Sequence, residues 1–575
     1  MSVEMSGQYE LTSLRPRSPQ QSTRSRSSLV AQLWFTRVPT IIRGAVASWS
    51  AVRATQYTLI SDIDDMGNHG RDAVHTRRRS TLRSLGHQRL RRLIWTVLII
   101  LPSLAVVTIL LVAVFYPSYS HPPHHYDVLR AHALISTNPG RINIHDEKIF
   151  IASSIYDKQG RLASGPWAQN LLDLIDLLGP ENVFLSVFED DPDSLARISL
   201  EHFSKRVSCG SIRGVSSFIA DWFAGNSSLV AGHVDRAALP HIKLPNGQKK
   251  LKRIEFLAHV RNRALAPLED PESSAYSVRF DKLLYLNDVV FDPIDAANLI
   301  FSTNVDETGK AKYHAACAAD FIDPFKYYDT FATRDDQGNR MGVPIYPWFG
   351  DAKSREDVLD QKDAVKVRSC WGGMVAFNAR WFQPDSIHVD PGVANMTSSK
   401  QELADAYNTT IIPNTTPPIR FRASADTFWD ASECCLIHAD IEAAVNRSGS
   451  LSTDIFLNPY IRVAYTSGTL SFLRISRRFE RLFAPFQKML GMSLGLPTEN
   501  PRRIQEVGQQ YEDIVWEYDD TAWMTTSNMS GGYKNITRAA LPGGFCGSRK
   551  LLTLGEGDEM REWFNEAVEV PSSER

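Results

Sequence analysis

Residues 283–292 read LLYLNDVVFD, an apolar run that passes directly into Asn287, Asp288 and, two residues on, Val290-Phe291-Asp292. The run is too short for an independent helix and predicts a central strand of a parallel sheet. Ligands of open α/β sheets collect where strands end, so a carboxylate there can reach a hard divalent cation and a diphosphate bridged by it. Asp288 is therefore the candidate metal ligand, with Asn287 a neutral contact and Asp292 a weaker claimant. A turn or helix cap is the competing use of such an acid.

Upstream, RIEFLAHVRNRALAPL at 253–268 predicts a helix that carries Arg261 and Arg263 just before this strand. Guanidinium forks match phosphate oxygens, although an ordinary basic helix face has the same composition. The elements that must position these groups begin with KIFIASS at 148–154 as a strand, 167–178 as an amphipathic helix and VFLSVFE at 183–189 as a second strand. Gly179 and Pro180 punctuate the helix end. This βαβ opening predicts a nucleotide at the strand ends, with Ser153, Ser154 and Glu189 as base or ribose contacts. No GxGxxG or GxxxxGK[ST] occurs, which disfavours dinucleotide and P-loop sites. Adjacent His124 and His125, in PPHH, are not spaced for one helix face and read as solvated linker rather than metal ligands.

The chain has 575 residues and a formal net charge of −2. Residues 1–92 hold 15 Arg, no Lys and 6 acids, or +9, leaving −11 for the rest. Between these parts, residues 93–116 form a run of 24 without a charge, enough to cross a bilayer. Arginines crowd its amino side, so the positive-inside rule predicts a cytosolic N-terminus and single-pass type II topology. Residues 1–92 lack a core-forming pattern and read as a disordered basic tail. Beyond the span, 117–145 reads as a stem, 146–555 as the folded domain and 556–575 as a C-terminal tail. Seven N-x-Ser/Thr sequons, at Asn226, Asn395, Asn408, Asn414, Asn446, Asn528 and Asn535, and all six Cys follow the span. An oxidising lumen would permit disulfides there, Cys434 and Cys435 being poor partners for each other. Neither a folded reader nor interleaved aromatics supports nucleic-acid binding.

RNRAL, LLYLNDVVFD, AACAADF at 315–321, YYDTFATRDDQG at 327–338, SCWGGMVAFNA at 369–379 and FRASADTFWDASECCL at 421–436 together resemble the fungal glycosyltransferase family 69. NPYIRVAY at 458–465 and GGFCGSRKLL at 543–552 extend the resemblance over roughly 146–552. The best-known type is the capsule-associated cryptococcal α-1,3-mannosyltransferase. The resemblance implies an α/β, GT-A-like fold behind the transmembrane helix, GDP-mannose as donor, a mannose-containing glycan as acceptor, and a divalent metal, Mn²⁺ or Mg²⁺. It also implies retention of configuration and a Golgi membrane location.

The usual Asp-x-Asp motif of such folds is Asn287-Asp288-Val289 here, leaving Asp288 as the metal ligand. Arg261 and Asn262 are expected to position the diphosphate or donor sugar. Glu433 stands where an acceptor-side carboxylate is expected, Cys434 replaces a second acid, and Trp371 before two glycines suits either a loop on which a sugar stacks or a core tryptophan beside a turn. Tyr328, Asp329, Arg334 and Asp335 form either a surface ion-pair cluster or substrate contacts. His438 reads as structural, and Asp426 and Asp430 as either helix caps or sugar contacts. A non-catalytic glycan-binding or assembly subunit, or a transferase for xylose or glucuronate, remains a rival reading.

Overall fold

The computed structural model describes residues 77–208, 227–244, 248–384, 416–449, 452–497, 500–518, 531–555 and 563–566. Most of the expected N-terminal tail, Cys209, and the sequons at Asn226, Asn395, Asn408, Asn414 and Asn528 lie outside the described residues, as does most of the C-terminal tail. The chain divides into two units, Met1–Ile100 and Leu101–Arg575. Helix α1, Arg77–Phe115, starts well before the apolar run. Its segment Ile94–Phe115 is, among the described residues, the one stretch long and apolar enough to cross a membrane. Such a segment is compatible with a single-pass anchor.

The second unit is mixed α/β. After α2, His124–Ile135, come β1, Ile149–Ile155, α3, Pro166–Leu178, and β2, Val183–Asp190. β1 and β2 pair in parallel, as the opening pattern predicts. α3 starts with Pro166 at its first turn and stops at Gly179, whose φ of 90° lies in the region that glycine tolerates. Then follow α4, Ser194–Ser208, β3, Ser227–Gly232, α5, Arg253–Leu265, β4, Lys282–Leu286, α6, Pro293–Phe301, and β5, Ala315–Phe321. Beyond these lie β6, Arg334–Asp335, α7, Ala352–Leu359, β7, Val365–Ser369, β8, Met374–Asn378, α8, Glu433–Arg447, and β9, Ile455–Ala464. The domain closes with α9, Ser467–Ser476, α10, Phe483–Leu494, and a hairpin of β10, Gln510–Tyr518, and β11, Gly531–Ala539.

Nine strands form one sheet in the order β3-β2-β1-β4-β8-β5-β9-β7-β6. β1, β2, β3 and β4 run parallel, and β5 and β9 run parallel to each other. β8 is antiparallel to both β4 and β5, so those two share a direction. The carboxyl ends of β4, β5 and β9 and the amino end of β8 therefore open on one edge. β4 and β5 are buried throughout, as central strands covered on both faces must be.

Residues 117–145 are not a bare stem. α2 buries Tyr126, Leu129 and Ala133 in the main core, and His125 Nε2 lies 2.8 Å from the carbonyl of Ser302. Among the described residues two disulfides, Cys317–Cys370 and Cys435–Cys546, tie β5 to the turn before β8 and α8 to the segment after the hairpin.

Candidate active site

Asp288 follows the end of β4 with its side chain open to solvent. Its carboxyl is raised above the ordinary range, chiefly by loss of surrounding water, with its own backbone and then Arg261 opposing. The carboxyl-end placement is what the strand-to-acid transition predicts. Asp292 does something else: its Oδ1 accepts the backbone N–H groups of Ile294 and Asp295, capping α6.

Near this exit stand two more acids, Asp320 of β5, the next strand of like direction, and Asp329 of the loop that follows it. Asp320, in the last residues of β5, is 1% exposed and accepts the Asp329 amide at 3.1 Å. Tyr465, next after β9, donates its hydroxyl to the other Asp320 oxygen at 3.3 Å. Burial, and then the nearby Asp329 charge, push the Asp320 carboxyl well above the ordinary range, and burial also raises Asp329. The Tyr465 phenol is pushed up by burial and then by Asp320, Asp288 and Asp329, and the paired backbones of Val290 and Ala464, at 2.7 and 3.2 Å, bring the exit of β4 alongside the end of β9. The edge is closed by Gly372 and Gly373, both at positive φ. Gly373 takes the Asn287 amide on its carbonyl at 2.8 Å, and a side chain on Gly372 would meet the Ala318 carbonyl at 1.8 Å. The two glycines thus make a tight turn against β5, in place of the expected flexible acceptor loop.

Arg261 and Glu433 meet here from α5 and α8. Arg261 Nε donates to Glu433 Oε1 at 2.9 Å and Nη1 donates to Asn287 Oδ1 at 3.1 Å. The guanidinium lies 4.4 Å from the centre of the Trp371 ring, with Tyr285 and Phe421 completing an aromatic box. Arg261 is 9%, Glu433 3% and Trp371 3% exposed. Burial and mutual pairing leave them as supports that fix Asn287, and through it the backbone presenting Asp288. Trp371 has no open face for a sugar ring.

The remaining expected site residues serve the scaffold. Ser153 donates to the Leu286 carbonyl, and Ser154 receives the Tyr285 hydroxyl. Glu189 accepts the Asp157 amide at 3.0 Å from the end of β2. Asn262 exchanges hydrogen bonds with the backbone N–H and C=O of Phe421, pinning α5 to the segment before α8. Arg334 is fully buried and directs its guanidinium at the carbonyls of Phe331, Thr333, Phe545 and Cys546. Asp335 is a turn acid that accepts the Gln337 and Asn339 amides. Neither belongs to a surface ion-pair cluster.

Asp426 is gripped by Arg502 and Arg538, which hold its carboxyl below the ordinary range against the pull of burial, and Asp430 pairs with Lys252 at 3.4 Å. The cap of α8 is Ser432. His438 is buried, bonds the Cys434 carbonyl at 2.7 Å and is lowered to about 4 by burial, so it is a neutral structural residue. It lies near the Cys317–Cys370 disulfide, whose sulfurs are not available as thiolate ligands. Sequence reasoning passed over Asp320 and Tyr465. Their signal was an acid at the end of the otherwise apolar β5 and a phenol directly after β9.

Residues 148–440 of this chain match the family described as Cryptococcal mannosyltransferase 1. No curated protein matches the chain. The matched segment carries β1 to β8 and most of α8, together with Asp288, Asp320, Asp329, Arg261 and Glu433.

Proposed function

Because the chain belongs to the cryptococcal mannosyltransferase 1 family, we propose that it is a membrane-anchored enzyme with a GT-A-like fold that transfers mannose from GDP-mannose to a mannose-containing glycan. The product linkage is α-1,3, with a Golgi location and the folded domain lumenal. The observation that carries this reading is the meeting of the β4 exit that bears Asp288 with Asp320, Asp329 and Tyr465 at the carboxyl edge of β4, β5 and β9. That is where α/β folds hold phosphorylated ligands.

The residues fit a hard divalent cation in a limited way. Asp288 offers oxygen donors on an open side chain, but neither of the two groups of three close His, Cys or acid ligands found among the described residues includes it. Asp288 would therefore hold Mn²⁺ or Mg²⁺ by one carboxylate, leaving the other positions to diphosphate oxygens and water. The ion would neutralise charge building on the departing diphosphate. Arg261 and Glu433 would keep Asn287 and the Asp288 backbone fixed throughout. Asp320 would brace this edge, one oxygen accepting the Asp329 amide and the other the Tyr465 hydroxyl.

The test is titration of the purified full-length chain with GDP-mannose, UDP-xylose and UDP-glucuronate, with and without Mn²⁺, followed by product detection on α-mannobiose. Metal-dependent binding of GDP-mannose with a trisaccharide product is expected. Binding of a UDP sugar would overturn the donor, and absence of donor binding by folded protein would favour the non-catalytic reading.

A further inference from the structure

Helix α10 is built the wrong way round for a helix facing water. Its buried positions are Gln487 and Gly491, while Phe486 is 66%, Met489 67% and Met492 75% exposed. Gln487 spends its amide inside, on the carbonyls of Val343 and Phe349 and on the Arg355 guanidinium. A surface helix in water places its apolar stripe inward. On α9, Phe472 and Ile475 are also exposed, and Phe325 packs against Phe472 and Phe483 to join the two helices into one face.

The exposed charges on the two helices are cationic, and the exposed acid of the Phe325 loop, Asp323, spends one oxygen on the Phe325 and Lys326 amides. Arg474, Arg478 and Lys488 are exposed, and Glu480, the one acid in 467–494, is buried against Arg462. Exposed apolar side chains interleaved with cations on surface helices are the composition of a segment that lies in a bilayer interface. Its place in the fold agrees. Arg478 Nη1 donates to the Ala113 carbonyl at 3.4 Å, and the Arg477 carbonyl accepts the Ser118 amide at 2.8 Å. The patch thus adjoins the carboxyl end of the apolar segment Ile94–Phe115.

We propose that α9, α10 and the Phe325 loop form a docking face for the phospholipid surface of the bilayer that α1 crosses. Apolar side chains enter the headgroup boundary while arginines meet lipid phosphates. This rests on reading α1 as a membrane anchor. Docking would hold the domain against the bilayer instead of leaving it to swing on its anchor.

The test reconstitutes the full-length chain in phosphatidylcholine–phosphatidylserine vesicles whose acyl chains carry a clickable tag. A benzoylphenylalanine photocrosslinker is placed, one site at a time, at Phe486, at Leu104 in the span, or at Tyr276. Tyr276 is exposed on the loop entering the amino end of β4, whereas α9 follows the carboxyl end of β9. Lipid adducts at Phe486 should come within about twofold of Leu104 and exceed Tyr276 roughly tenfold. Adducts at Leu104 with none at Phe486 overturn the docking face while leaving the anchor intact. Adducts to a second copy of the chain at Phe486 overturn it in favour of self-association. No adduct at Leu104 removes the anchor, and the docking face with it.

Discussion

Replacing Glu433 with Gln preserves side-chain volume and removes a single charge, leaving Arg261 buried opposite a neutral amide. The pair is 2.9 Å apart, with side chains 10% and 4% exposed. At that distance and an effective dielectric of about 20, the gross attraction is ~6 kcal/mol. Breaking a buried pair from one side leaves an uncompensated charge and costs about 3–5 kcal/mol after relaxation. Arg261 cannot turn to water without leaving the aromatic box of Trp371, Tyr285 and Phe421 and the Asn287 amide. The full-length E433Q chain should therefore lose about 3–5 kcal/mol in denaturant unfolding followed by near-UV circular dichroism. The double variant Arg261→Met, Glu433→Leu should regain much of that loss, because no charge is then stranded. An E433Q chain that unfolds at the parental midpoint yet has no turnover would refute this reasoning and return Glu433 to the chemistry.

Asp288→Ala should abolish turnover while changing unfolding free energy by less than ~0.5 kcal/mol, since the side chain is exposed; retained turnover at saturating Mn²⁺ would remove it from the metal role. Asp320 has a raised folded-state pKa, so its contribution to stability is full below the ordinary carboxylate pKa and is lost as pH rises through the raised value. Asp320→Asn should accordingly match the parent's melting temperature near pH 4 and exceed it near pH 9, and equal melting at both would show that Asp320 ionises freely. Gly372→Ala, with φ of 60° and a Cβ 1.8 Å from the Ala318 carbonyl, should cost more than about 3 kcal/mol and yield little folded protein on expression. Asn446 and Asn535 are both exposed sequons, so lumenal topology predicts a mobility shift on glycosidase treatment that Asn535→Gln reduces.

The local pattern was enough for the elements near the start of the domain. A strand, an amphipathic helix and a strand bounded by Gly179 and Pro180 declare themselves because periodicity and turn chemistry act over a few residues. The exit of β4 into Asp288 was legible for the same reason. Arg334 and Asp335 stood open between a surface cluster and substrate contacts because adjacent charges fit both, whereas the carbonyls that satisfy Arg334 come partly from residues 545–546, far along the chain. Trp371 beside two glycines fitted a sugar-stacking loop and a core tryptophan equally, because nothing local reveals that Arg261 and Phe421 cover it.

Composition alone determined the apolar 93–116 segment, the basic N-terminal part and the parallel opening of the sheet, because each is a property of neighbouring residues. Tertiary structure decided the site. Asp320 was one acid in an apolar strand until β8 inserted between β4 and β5 and brought the ends of three strands to one edge. Its raised pKa follows from that burial beside Asp329, and the pairing of Arg261 with Glu433 joins residues 172 positions apart. Charge–charge energies depend on distance and desolvation in space, which sequence spacing does not encode.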